Sequence, residues 1–277
     1  MDGIFSLEHS SLAEVHAAFV DAFSEYEVPI DMPEGALREM LETRSYRPDF
    51  SYGYFADGKL ASFILVGIRT RGGVLTAYDS GTGTIKDFQG KGIGSRLLED
   101  TIGRLKARGV RRFLLEVLEH NEAAQSLYRR YGFAVTRKLN CYKREGGPAG
   151  VDAAAEGRPG LESLVDAAES ITFAPSWQNE YASYLNAIER HDFIADAAEP
   201  RNFGIVHKRN GSILQLGLSA DSIGSEKEKR LFALLERGGE GRGLKYLNVE
   251  EGAKIEEVLA RNGFGIYISQ YEMALDL

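Results

Sequence analysis

Gln89-Gly90-Lys91-Gly92-Ile93-Gly94-Ser95 places glycine at 90, 92 and 94, between a strand-like run and a helix-like one. Glycine reaches positive φ without strain and lets a backbone approach a ligand with no Cβ in the way. The start of the following helix presents unpaired N–H groups and the positive end of its dipole. The segment therefore reads as a pyrophosphate-binding loop. Its spacing is not that of a Walker A loop, and it does not follow the first strand of a parallel dinucleotide fold.

Outward from the loop, the first half reads as mixed α and β. Ser11 to Glu25 carries Leu12, Val15, Ala18, Phe19 and Ala22 at helical spacing. Pro33 to Thr43 reads as a second helix, with Pro33 in its first turn. Ser51 to Phe55 and Leu60 to Arg69 read as strands joined by Asp57-Gly58, and Val74 to Ile85 as a further strand. Gly92 to Arg108 is a helix closed by Gly109, Arg112 to Leu118 a buried strand, Glu122 to Tyr131 a helix ended by Gly132, and Phe133 to Lys143 a strand.

Composition bounds the rest. The 277 residues are 43% hydrophobic and 27% charged, in the range of folded proteins of one or two domains. No run reaches the roughly 20 apolar residues of a membrane span, and Met1-Asp2-Gly3-Ile4 lacks a secretory leader's basic and apolar regions. A cytoplasmic protein without a membrane partner is expected. The single cysteine, Cys141, excludes an internal disulfide and a cysteine-built metal site, and the scattered histidines offer no metal spacing. Residues 1–148 carry 20 basic and 20 acidic side chains, whereas 149–277 carry 13 and 21, so the net charge of −8 sits in the second half. An acidic half disfavours a nucleic-acid partner.

Gly146-Gly147-Pro148 opens a stretch of small residues that cannot build a core, and a linker is expected at 146–159 between domains at 1–145 and 160–277. The second half echoes the first. Val258-Leu259-Ala260-Arg261-Asn262-Gly263-Phe264 parallels Leu127 to Phe133, and Asn202 to Leu214, with its Asn210-Gly211 turn, parallels Ser51 to Phe63. On that alignment about one hairpin is missing before Ser225. The counterpart of the glycine loop, Ala220-Asp221-Ser222-Ile223-Gly224-Ser225-Glu226, keeps one glycine and gains acids, and Leu259 stands in Tyr128's place. A degenerate, catalytically silent copy is expected.

The second informative stretch is Asn121-Glu122-Ala123-Ala124-Gln125-Ser126-Leu127-Tyr128-Arg129-Arg130-Tyr131-Gly132-Phe133. Gln89-x-x-Gly92-x-Gly94 followed by Asn121-x-x-Ala124-x-x-Leu127-Tyr128-x-x-x-Gly132-Phe133 resembles the GNAT family of N-acetyltransferases over residues 4–144. The resemblance implies a mixed, mostly antiparallel sheet flanked by helices, an α/β (α+β) fold. Its fourth and fifth strands, here about 75–85 and 112–118, splay apart around acetyl-CoA. It implies pantetheine pairing at Gly83, Thr84 and Ile85, pyrophosphate on the N–H groups of Gln89, Gly90, Lys91, Gly92, Ile93, Gly94 and Ser95, and a hydrogen bond from Asn121 within the gap. It further implies acetyl transfer to a primary amine of a small molecule or peptide by direct attack in a ternary complex.

In that chemistry a strand-four N–H near Thr84 or Ile85 steadies the oxyanion. The resemblance implies Tyr128 as the acid that protonates the leaving thiolate. Asp79 is the candidate base, with Glu116 as rival. Glu25, Tyr26, Glu27 and Asp31 lie where the family contacts its acceptor. A CoA-binding sensor or structural protein is the alternative reading. The duplication suggests a monomeric pseudo-dimer, with a homodimer as the other possibility.

Overall fold

The computed structural model describes residues 2–24, 32–146, 173–196, 199–238 and 243–277. It divides into two compact units. The first is Met1–Thr136 with Glu272–Leu277, and the second is Arg137–Tyr271. The division runs through two strands, between Thr136 and Arg137 and between Tyr271 and Glu272, and the expected linker at 146–159 lies outside the described residues from 147 onward.

In the first unit, β1 (Gly3–Ser6), β2 (Tyr52–Ala56), β3 (Lys59–Arg71) and β4 (Val74–Thr84) pair antiparallel in that order. β5 (Arg112–Leu118) then pairs parallel with β4. Helix α1 (Leu12–Ala22) opens on a capping box, in which Ser11 and Glu14 bond each other's backbone N–H groups. It stops three residues short of Glu25, the expected end. Val15 and Phe19 of α1 and Leu37 and Leu41 of α2 (Glu34–Thr43) pack with Phe63 and Leu65 on one face of β3. Helix α3 (Ile93–Ala107) also lies against β3, whose alternate residues Ile64 and Val66 are fully buried. A strand covered on both faces reads as a continuous apolar run, as Leu60 to Ile68 does.

The chain after α2 is tied down onto β3. Arg47 N–H donates to Val66 O (2.8 Å) and Ile68 N–H to Ser45 O (3.0 Å). Arg69, nearly buried, caps the end of α2 with a bond to Thr43 O (2.7 Å). A Cβ at Gly67 would sit 2.1 Å from Arg44 O, so only glycine allows this approach.

In the second unit, β7 (His191–Asp196), β8 (Glu199–His207) and β9 (Ser212–Gly217) are antiparallel neighbours. Helix α6 (Glu226–Gly238) leads from β9 to β10 (Leu244–Glu250), which pairs parallel with β9. Helix α7 (Ile255–Arg261) and β11 (Gly265–Asp276) follow, and β6 (Ala134–Arg144) pairs antiparallel with β10. A short helix, α5 (Tyr181–Leu185), precedes β7. The core gathers Leu231, Phe232 and Leu235 of α6 with Tyr246, Val258 and Phe264.

The order hairpin, helix, parallel strand, helix, strand repeats that of the first unit. It also corrects the expected alignment. The β8–β9 hairpin runs directly into α6, so it holds the place of β3–β4 and not of β2–β3. No hairpin is missing between Gly211 and Ser225, because the Asn210-Gly211 turn holds the place of the Gly72-Gly73 turn between β3 and β4. Among the described residues no helix is long and apolar enough to cross a membrane.

Gly67→Ala should destabilise the protein by about 1–3 kcal/mol, the usual cost of forcing a methyl group into a filled site. Chemical denaturation checks this, with Gly103→Ala, on open helix surface, expected to be neutral or stabilising.

Candidate acyl-donor site

Strands β4 and β5 pair at Thr76–Arg112, Ala77–Phe113 and Tyr78–Leu114 and no further. Both strands continue, β4 to Thr84 and β5 to Leu118, so a wedge-shaped gap opens between them. The cause lies one step past the last pair. Against β3, Leu65 faces Gly81 and Val66 faces Asp79, leaving Ser80 as an extra residue in a β-bulge. A bulge bends its strand and raises the local twist. Asp79 staples this one, accepting from Gly81 N–H (2.9 Å) and Thr82 Oγ1–H (2.6 Å), while the Arg44 guanidinium donates to Ser80 O (2.7 Å). Burial pushes the Asp79 carboxyl up to about 6, against the opposing pull of those hydrogen bonds and of Arg44.

The ladder's alternation decides which backbone groups face the gap. Ile85 N–H donates to Ala61 O (2.9 Å), and the register sets Gly83 opposite Phe63 and Thr84 opposite Ser62. Gly81, Gly83 and Ile85 therefore turn their backbone groups to β3, and Thr82 and Thr84 turn theirs to the gap. This corrects the expected set of Gly83, Thr84 and Ile85. Only Thr84 among them offers its amide to the gap, and Thr82 joins it. Thr84's carbonyl accepts from Gln89 Nε2 (3.0 Å). Gly83 has a packing reason instead: a Cβ there would lie 2.6 Å from the Phe63 ring and 2.9 Å from Ala22.

The loop supplies the second set of donors. Gly90 and Gly92 have φ of 71° and 73°, the left-handed region that glycine favours. Helix α3 begins at Ile93 with no side-chain cap and no acid in its first turn. The first helical hydrogen bond is Arg96 N–H to Gly92 O (3.1 Å), and no described residue accepts from the N–H groups of Gly90 to Ser95. Two cations stand beside them. The Lys91 ammonium lies over the Phe88 ring (4.9 Å) and the Arg96 guanidinium over Tyr54 (6.0 Å).

Helix α4 (Glu122–Arg130) follows β5. Asn121 caps it, its Oδ1 accepting from Ala124 N–H (3.1 Å). Gln125, almost fully buried, donates to Leu118 O (3.2 Å) and Glu119 O (2.8 Å) and fastens α4 to the end of β5. Tyr128 is buried on α4, edge-on to Phe133 (5.6 Å), which in turn meets Phe113 (5.5 Å). Near the apex of the gap, Tyr78 Oη–H donates to Glu116 Oε2 (2.9 Å). Glu25, Tyr26, Glu27 and Asp31 lie outside the described residues. The sequence reading missed Thr82, Tyr78 and Gln125. Counting by twos from a located bulge would have found Thr82; Gln125 carried no signal beyond its i,i+4 spacing to Arg129, whose guanidinium donates to Gln125 Oε1 (3.0 Å).

The corresponding loop in the second unit is closed from within. Gly224 also has positive φ, 76°, but its N–H donates to Glu228 Oε2 (2.7 Å). Asn262 Nδ2 donates to Glu228 Oε1 (2.7 Å) and Arg261 to Oε2 (3.2 Å). Glu228 is 4% exposed. Burial raises its pKa, yet the bonds from Gly224, Arg261 and Asn262 outweigh burial and hold the carboxyl below its usual range. Among the described residues no group of His, Cys, Asp and Glu could hold a metal ion.

Comparison with known proteins agrees with this geometry. Residues 12–133 match the model of the acetyltransferase (GNAT) family. The chain is 34% identical over 76 residues to N-alpha-acetyltransferase 30 of Schizosaccharomyces pombe, a match covering 27% of this chain and 51% of the relative, so the chain spans about half of that protein. Two solved structures share the fold across 99% of this chain. A putative acetyltransferase from Pyrococcus horikoshii superposes with a TM-score of 0.71 at 15% identity, over 89% of its length. A tandem GNAT protein from the clavulanic acid biosynthesis pathway does so with 0.66 at 12% identity, over 98% of its length. The split sheet and the open loop both lie within residues 12–133, the segment that matches the acetyltransferase (GNAT) family, and the two solved structures share the mixed sheet flanked by helices.

Proposed function

We propose that the first unit transfers an acetyl group from acetyl-CoA to a primary amine, with a peptide amino terminus as the favoured acceptor. The observation that carries this is the set of open donors from Gly90 to Ser95, lying beside a gap into which Thr84 turns its amide. Hydrogen bonds to a charged group contribute about 1.5–3 kcal/mol each, so a few of them suffice to anchor a pyrophosphate. The similarity to a protein named N-alpha-acetyltransferase 30 supports the choice of acceptor.

The amine nitrogen attacks the thioester carbonyl carbon, and the carbonyl oxygen gathers charge against the Thr84 N–H. The C–S bond then breaks, and the departing sulfur takes the proton of Tyr128 Oη. The base removes the amine's proton. Asp79 has the raised pKa suited to that task, whereas Glu116 stands across the gap on β5 with Tyr78 as its partner.

The second unit is silent in this reading. Glu228 supplies the negative charge at α6 that a pyrophosphate supplies at α3, so a second cofactor would have to displace a buried, fully bonded carboxylate.

Three outcomes follow. Tyr128→Phe should lower kcat by about 100-fold, the scale of general-acid catalysis, with the Kd for CoA within a factor of about 2 of the unaltered protein. Thiol release during acetylation of peptides with free amino termini measures the first and calorimetry the second; CoA binding without turnover on any amine would support a sensor instead. A carboxylate base works only when ionised, so activity should fall as pH drops below about 6 if Asp79 serves. Asp79→Asn should then erase that acidic limb and Glu116→Gln preserve it; the reverse pattern assigns the base to Glu116. Calorimetric titration should find one CoA per chain, and two would contradict a silent second unit.

A further inference from the structure

Beyond Leu114, β5 has no partner on its β4 side, yet the gap requires it to stay in place. Its other edge is bordered by β11, whose last residues, Glu272–Leu277, belong to the first unit. Leu277 N–H donates to Arg111 O (2.9 Å), and Arg112 Nε donates to Asp276 (2.7 Å) at the start of β5. Met273 is 0% exposed. Thr136, on β6, donates its hydroxyl to Glu272 O (3.1 Å) and Oε1 (2.9 Å). Leu275 lies against the turn that ends α4, where a Cβ at Gly132 would come 3.2 Å from Leu275 Cδ1. That turn is bonded to Tyr128, whose carbonyl accepts from both Tyr131 N–H (3.0 Å) and Phe133 N–H (3.1 Å).

We propose that Glu272–Leu277 is a positioning element of the acyl-transfer site. Met273 and Leu275 brace β5 and α4 from the side away from the gap, and through the Gly132 turn Leu275 sets the place of Tyr128. The exposed Arg112–Asp276 pair contributes little, as solvated pairs do; the buried Met273, the half-buried Leu275 and the backbone bonds carry the effect. The role of Tyr128 rests on the proposed function, whereas the bracing does not.

The test is Leu275→Ala in the full chain, with Leu275→Met as the conservative variant. Small displacements of reacting groups cost up to about 100-fold in rate. Leu275→Ala should therefore lower kcat by about tenfold or more, with the KM for acetyl-CoA within a factor of about 2, and Leu275→Met should recover most of the loss. Hydrogen exchange in Leu275→Ala should quicken at Leu114–Leu118 and Glu122–Phe133. Trp177, the chain's single tryptophan and buried in the second unit, should keep its emission maximum. Turnover within twofold, or a loss of CoA affinity equal to the loss of turnover, would overturn the positioning role. Unchanged exchange at β5 and α4 would overturn the bracing even if the protein acetylates nothing.

Discussion

Parallel strands tend to pair along their length, and in the first unit they stop at Tyr78 and Leu114 because Ser80 is one residue too many for β3. That extra residue, pinned by Asp79 and Arg44, bends β4 away from β5. The rest of the site depends on this bend. It exposes the backbone of Thr82 and Thr84 and leaves β5 to be held from its other edge. Asp79, the carboxylate that staples the bulge, has a pKa pushed up to about 6 by burial.

The two units set side by side what an anion site needs. Helices α3 and α6 both follow a strand, a short turn and a positive-φ glycine. At α3 the first-turn amides are open and the first turn carries no acid. At α6 the third helical residue is Glu228, and it folds back onto Gly224 N–H. An unpaired buried donor costs about 1–3 kcal/mol, so a closed loop is the stable choice where no ligand comes. The first unit leaves its donors without an intramolecular acceptor among the described residues, which makes the loop at 90–95 the candidate site.

The parts of this arrangement written locally were legible in the sequence. Gly90 and Gly92 have the positive φ that glycine favours, and the apolar spacing of Leu12, Val15, Ala18, Phe19 and Ala22 marks the first helix. What could not be read depended on distant partners. Which of Gly83, Thr84 and Ile85 faces the gap follows from register, and the bulge that fixes register has no signature in Asp79-Ser80-Gly81. Asn210-Gly211 was correctly a turn, but its place in the fold followed from the parallel pairing of β9 with β10. Glu228 carries no local signal of its bonds, because its partner Asn262 lies 34 residues on. Met273 and Leu275 read as the end of the second copy, yet they serve the first unit.

The central claim is that the open amides of the first unit, and not the closed ones of the second, receive the cofactor. The most direct measurement is an amide-resolved NMR titration with CoA. The account predicts the largest shifts at Gly90 to Ser95, with further changes at Thr82 and Thr84, and none at Gly224 to Glu228. Shifts centred on Gly224 to Glu228, or a saturated complex that leaves Gly90 to Ser95 unmoved, would contradict it.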